Sequence, residues 1–399
     1  SSHFCSSPSR GGTPERRAQP GPPAMYLARA LPDALALALL SMCCWGSWSN
    51  TLVYSGDRLR FELYYSNYAV GVFLTSLFLA ATLGMVRISG CLDASWYPYD
   101  WDVAPRHKLL ALAAGVIFNV ANLLLVKGIQ MCGLAVAFPL GIGTALVLGT
   151  VLTHFTEASK GGNPVLLFSG VAVAFLAVCT TSLTHRLKDR AAKEPADDTA
   201  GESGSDGSSG SGTEEADSSW ELADAVGEPS TVWKLSICVV GGMLMSLWSP
   251  LNARAQDGFG EAGHAGLSPY GAFFAFSLGI MLSTLPLIPL VLACPLDTGK
   301  PVRLRVAVRD YVRAPFNVHV LGLVGGGIWA VGTLSNSISG EKLSYAASYA
   351  IGQSAPMVAV GWGVFHFHEF DGAPPVVKAL LALVILLFIT SIALIALSH

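Results

Sequence analysis

Charge is what this sequence has least of. Its 399 residues include 24 Lys and Arg and 27 Asp and Glu, 13% of the chain, about half of the roughly 25% usual in soluble globular domains. So few charges cannot coat a soluble surface of this size. The deficit excludes a soluble enzyme and a disordered chain, and a net charge of −3 excludes the basic footprint of a nucleic-acid binder. Catalytic and metal signatures are missing as well. The chain carries no HExxH, GxSxG or GxxxxGK[ST] sequence, no CxxC pair, and no His at metal-ligand spacing from its eight cysteines. No enzyme activity, cofactor, metal or disulfide framework is therefore expected.

What is present is apolar length. Hydrophobic residues make up 52% of the chain, and mean hydropathy is +0.51. A bilayer core takes about 20 apolar residues per helix. Windows free of Asp, Glu, Lys and Arg lie at 34–56, 63–86, 109–126, 128–156, 161–185, 235–253, 262–296, 314–340, 343–368 and 379–399. Each is long enough for one crossing. Gly, Ser, Thr and Asn are scattered through most of them, which suits helices packed on one another or lining a wet cavity. The expected fold is an all-α polytopic membrane protein of ten transmembrane helices.

The arrangement of these windows adds a duplication. Residues 1–30 read as a disordered tail, its first 24 positions Ser-, Pro-, Gly- and Arg-rich and non-native on one reading, with Met25 a candidate native start. Residues 186–230 form a flexible Gly/Ser/acidic linker, leaving five windows in 31–185 and five in 231–399. Trp48-Ser49-Asn50 is matched by Trp248-Ser249-Pro250, GVIFNVANLL from Gly115 by GGIWAVGTLS from Gly326, and His154-Phe155-Thr156-Glu157 by His366-Phe367-His368-Glu369. A repeat with an odd number of crossings must insert upside down the second time, so two inverted five-helix repeats are expected. The balance of Lys and Arg between loops mildly favours an internal linker and external termini.

These residues resemble the ureide permease family of the drug/metabolite transporter superfamily. The carriers are Gly46-Ser47-Trp48 with Asp57-Arg58-Leu59-Arg60, Leu134-Ala135-Val136 leading to Gly149-Thr150, Leu247-Trp248-Ser249-Pro250-Leu251-Asn252, Tyr270-Gly271-Ala272-Phe273-Phe274, Ser344-Tyr345-Ala346-Ala347, and 356–369. The resemblance runs from about residue 31 to 397. It implies ten helices in two inverted repeats and import of ureides and nucleobases such as allantoin and uracil, with protons as the candidate driving ion. The chain departs from the pattern by lacking a phosphate-loop-like sequence in the linker. Phe138-Pro139-Leu140-Gly141 is closer to the glucose/ribose uptake transporters, so a sugar or another metabolite is the alternative solute. A non-transporting membrane scaffold is the rival class. Membrane lipid is an expected partner, and the plasma membrane the expected location, with an organelle membrane as the alternative.

Candidate site residues follow from the chemistry of a planar, amide-edged solute. Such a solute needs paired donors and acceptors from Asn and Gln and aromatic faces to stack on. Trp48 and Asn50 in the first window, Asn119 and Asn122 in the third, Trp329 and Asn336 in the eighth, and Tyr349 and Gln353 in the ninth supply these. Belt tryptophans and helix-to-helix packing bonds are the competing explanations, and the belt explanation is preferred for Trp45. Pro139 and Pro356 are expected to bend their spans. Glu157, Glu369 and His366 are the candidates for proton coupling, against a plainer role as charges marking helix ends. Arg303, Arg305, Arg309 and Arg313 form a basic stripe suited to anionic headgroups.

Overall fold

The computed structural model describes residues 25–85, 96–157, 162–193, 230–260, 265–296 and 301–399. The tail before residue 25, most of the Gly/Ser/acidic tract, Cys5 and Cys91 lie outside the described residues. Within them every regular element is helical. In chain order these are α1 (Leu31–Ser47), α2 (Asn50–Ser55), α3 (Phe61–Ala81), α4 (Trp96–Trp101), α5 (Pro105–Cys132), α6 (Leu134–Ala137), α7 (Thr144–Thr156), α8 (Pro164–Lys193), α9 (Thr231–Gln256), α10 (Pro269–Ala293), α11 (Leu304–Arg313), α12 (Phe316–Leu343), α13 (Tyr345–Gly352), α14 (Pro356–Phe365) and α15 (Pro375–Ala396).

Nine stretches among the described residues are long and apolar enough to cross a membrane: Leu31–Ser55, Phe61–Ala81, Pro105–Cys132, Ala135–Thr156, Pro164–Ala191, Thr231–Gln256, Pro269–Ala293, Phe316–Leu343 and Pro375–Ala396. The outer faces fit lipid: Phe78, Leu285, Leu386 and Ile389 are all exposed. The sequence predicts a tenth helix over 343–368. The structure places two short ones there instead, α13 of 8 residues and α14 of 10. Pro356 explains the break, because it lacks an N–H and its ring would clash with the carbonyl of Gly352, where α13 stops. The helix α8 continues through the basic cluster to Lys193.

Two more spans are interrupted. Between α1 and α2, residues 48–49 form a turn. The Ser47 hydroxyl donates to the Cys43 carbonyl and the Thr51 hydroxyl to the Trp48 carbonyl, each at 2.7 Å, which bends a helix by competing with its own ladder. Between α6 and α7 the segment Phe138–Gly143 widens into a π turn around Pro139, the kind of bulge that recurs at functional sites.

Four glycines let the long helices meet backbone to backbone. A Cβ at Gly115 would collide with the Phe276 carbonyl, and one at Gly279 with the Leu112 carbonyl, so α5 and α10 touch in both directions. A Cβ at Gly326 would collide with the Tyr68 carbonyl and one at Gly71 with the Leu323 carbonyl, which is the same contact made by α12 and α3. In each helix the carbonyl lies three residues before its glycine. The wider packing repeats this exchange: α5 packs on α9 as α12 packs on α1, while α8 pairs with α15 and α3 with α10. Outside the spans, buried Asp100 of α4 accepts from the Ser268 N–H at 2.7 Å and the Ser268 hydroxyl at 2.6 Å. This pins the start of α10, and burial pushes the Asp100 carboxyl up to about 7.

Candidate solute cavity

A cavity of about 450 Å³ lies between the two halves, within the roughly 300–1,000 Å³ range of small-molecule sites. All three helix interruptions open onto it: Trp48 and Ser49 from the first, Phe138 and Ile142 from the second, and Gln353, Ala355 and Pro356 from the third. Interrupted helices supply backbone groups that a continuous helix would have used up, the usual construction of a midplane site.

Its inner wall is aromatic. Phe118 of α5 and Trp329 of α12, which occupy matching positions in the sequences from Gly115 and Gly326, pack with ring centres 4.4 Å apart. Trp45 stacks on Trp329 at 6.4 Å and 13° and meets Trp248 edge-on at 5.9 Å. Trp48 packs on Tyr68 at 4.8 Å. Offset and edge-to-face contacts of this kind are favourable, and they hold the rings as a rigid wall. Trp45 also donates through Nε1 to Thr333 Oγ1 at 3.1 Å. Both first-span tryptophans line the cavity.

Polar edges interrupt this wall at few points. Asn50, Asn122, Gln130 and Gln353 line the cavity. Asn122 Nδ2 donates to the Tyr65 hydroxyl at 3.1 Å, which fixes the amide's direction. Tyr349, one turn before Gln353, is fully buried and donates to the Ala145 carbonyl at 3.1 Å. At one end of the cavity, where α2, α5 and α8 finish, stand Val53, Gln130, His185 and Glu369. Glu369 faces Lys188 at 3.5 Å.

Of the residues singled out from sequence, Trp48, Asn50, Asn122, Trp329, Gln353 and Glu369 converge on this cavity. The others do not line it. Asn119 is saturated by packing bonds, accepting from Tyr65 at 3.0 Å and donating to Ile280, Ser283 and Thr284 at 3.3, 2.8 and 3.0 Å. Asn336 and Ser348 exchange two bonds of 2.8 Å between α12 and α13. Tyr349 lies behind the wall, beneath Trp248. Glu157 caps α13, its Oε2 accepting from the Tyr345 and Ala346 N–H groups at 2.7 and 3.4 Å, where a carboxylate complements the helix dipole. His366 is hydrogen-bonded to Tyr54.

Sequence reasoning missed three features. Trp248 was legible, standing in the repeat where Trp48 stands. Phe118 was legible on the same ground, opposite Trp329. The buried pair of Lys127 and Glu62, 2.8 Å apart and side chains 5% and 3% exposed, was not: Lys127 reads as a loop cation because only the contact of α3 with α5 brings Glu62 to it. Arg60 joins the pair at 3.5 Å.

The ureide permease family model matches residues 64–225 and 223–398. Ureide permease 5 of Arabidopsis thaliana is 26% identical over 93% of this chain and 95% of its own length. Ureide permease 2 of the same plant is 25% identical over 92% and 98%, and ureide permease 4 is 26% identical over 92% and 98%. With its long apolar helices, the chain is an integral, multi-pass membrane transporter, and it belongs to the ureide permease family.

Proposed function

We propose that the chain carries small, planar, uncharged solutes of the ureide or nucleobase type, with allantoin and uracil as the leading cases, through the cavity between its halves. The observation that carries this reading is the cavity wall itself. A slot of tryptophan and phenylalanine faces rimmed by Asn50, Asn122 and Gln353 offers stacking to a flat ring and donor–acceptor pairs to its amide edge. The names of the Arabidopsis relatives support the same solute class.

The fold belongs to this proposal as two inverted five-helix repeats with ten crossings, α13 and α14 together making the ninth. The exchanged glycine contacts of α5–α10 and α12–α3 support it, as does the Phe118–Trp329 contact. The linker lies inside, and the basic helix α11 rests on anionic headgroups. Transport proceeds by rocking of the halves about the cavity. Protons drive it through Glu369, the cavity carboxylate, rather than through Glu157, whose carboxylate caps α13, or His366, held by Tyr54.

Uptake of labelled allantoin, uracil and glucose into proteoliposomes tests the proposal. Saturable uptake of the first two, faster under an inward proton gradient and insensitive to that gradient in Glu369→Gln, is the expected result. Glucose as the preferred solute would overturn the solute class, and uptake equal to that of empty liposomes for all three would overturn the proposal.

A further inference from the structure

Beyond the cavity, the region where α9 meets α7 and α12 is polar, buried and incompletely bonded. Trp248, Asn252 and Gln256 succeed one another at four-residue spacing on α9, one face of the helix, and are 3%, 6% and 1% exposed. The Trp248 indole N–H, the Asn252 side-chain carbonyl and the Gln256 side-chain carbonyl have no hydrogen-bond partner among the described residues. Nor do the hydroxyls of Thr150 on α7 and Ser339 on α12, both fully buried. Thr153 bonds Ser249 at 3.0 Å and so ties α7 to α9, while α9 and α7 are joined to α12 and α13 by the Asn252 Nδ2–Ser337 bond of 3.2 Å, the Tyr349–Ala145 bond and the Glu157 cap.

Static helix-to-helix glue does not look like this. Asn119, a packing amide of the same protein, uses both its oxygen and its amide hydrogens. Buried acceptors left unpaired are costly, and native structures keep few of them. Five of the seven such groups among the described residues, all but those of Ser41 and Tyr68, belong to this region, and their clustering beside the cavity points to a second conformation in which they are wetted. The region also has the elements of a gate. Tyr349 closes its inner end, lodged under Trp248 at a ring distance of 5.6 Å and against Gly149, where a Cβ would leave it no room. The Glu157 carboxylate holds the α13 N-terminus at the outer end.

We propose that the seam of Trp248, Asn252, Gln256, Thr150 and Ser339 is the closed half of the solute path, opened when α9 and α7 part from α12 and α13. The inference rests on the transport reading above, and its first test needs no solute. In the full chain with native cysteines replaced, single variants Gln256→Cys, Ser339→Cys, Asn50→Cys and Thr284→Cys are exposed in sealed proteoliposomes to a charged, membrane-impermeant thiol reagent from each face. Gln256→Cys and Ser339→Cys should react more than about tenfold faster than Thr284→Cys, a buried and fully bonded control, because a charged reagent reaches only a solvated site. They should do so from the face opposite to the one that reaches Asn50→Cys. Reaction no faster than that of Thr284→Cys, or from the same face as Asn50→Cys, overturns the inference. Asn252→Leu gives a second reading with labelled allantoin and uracil. Lost uptake with an unchanged or higher melting temperature fits a blocked path, and unchanged uptake contradicts one. Failure of wild-type uptake with both solutes would instead count against the solute class, leaving the labelling result to stand by itself.

Discussion

Asn119 and Asn122 stand one turn apart on α5 and meet opposite fates. Asn119 spends every polar atom on neighbours in α3 and α10, whereas Asn122 makes one bond to Tyr65 and faces the cavity. Their variants should separate accordingly. Asn119→Ala leaves the buried Tyr65 O–H without its acceptor and removes the amide donor to Ser283 and Thr284, and should cost about 1–3 kcal/mol of stability, read as a lower Tm, with KM for allantoin or uracil little changed in the protein that folds. Gln353→Ala should raise KM about tenfold, the effect of losing one good hydrogen bond to the solute, with Tm held. A lower Tm without a KM effect for Gln353→Ala would place that amide among the packing residues. Spacing shows that two amides share a helix face but not which neighbour lies across from each. That is why Asn119 and Asn336 read in the sequence just as Asn122 does, whereas the nearby Pro356 sets Gln353 apart.

At the scale of the element, the interruptions of α1–α2, α6–α7 and α13–α14 are where helix meets cavity. Two were legible, because Pro139 and Pro356 cannot continue a helix. The turn at 48–49 was not, because it depends on which carbonyls Ser47 and Thr51 choose. Charge-free length likewise marks 343–368 as one crossing but cannot reveal that it folds as two short helices. The glycine contacts make a sharper prediction. Gly115→Ala and Gly326→Ala each push a methyl into a facing carbonyl and should each cost about 1–3 kcal/mol by overpacking, seen as loss of thermal stability. Gly361→Ala in α14, where a Cβ meets open space, should be neutral or stabilising, since alanine is the better helix former. Equal effects at all three sites would mean that the close approach of α5 to α10 and of α12 to α3 is not what holds the halves together.

For the whole molecule, the scarcity of charge proves less informative than the placement of what is polar. Among the described residues, Lys127 and Glu62 form a buried pair of charges. Uncharged polar groups gather at the cavity and, beyond it, where α9 meets α7 and α12, in unpaired amides and hydroxyls. The repeated order of motifs across the two groups of windows can be read directly in the sequence. The contrast between the open cavity and that closed region cannot, since it belongs to one conformation and not to composition. The central claim is that the solute sits in the aromatic and amide cavity, and a structure of the full chain with allantoin or uracil bound tests it most directly. The account predicts the ring stacked on the wall of Trp48 and Trp329 with its amide edge toward Asn122 and Gln353. A solute bound elsewhere, with that cavity empty, would contradict it.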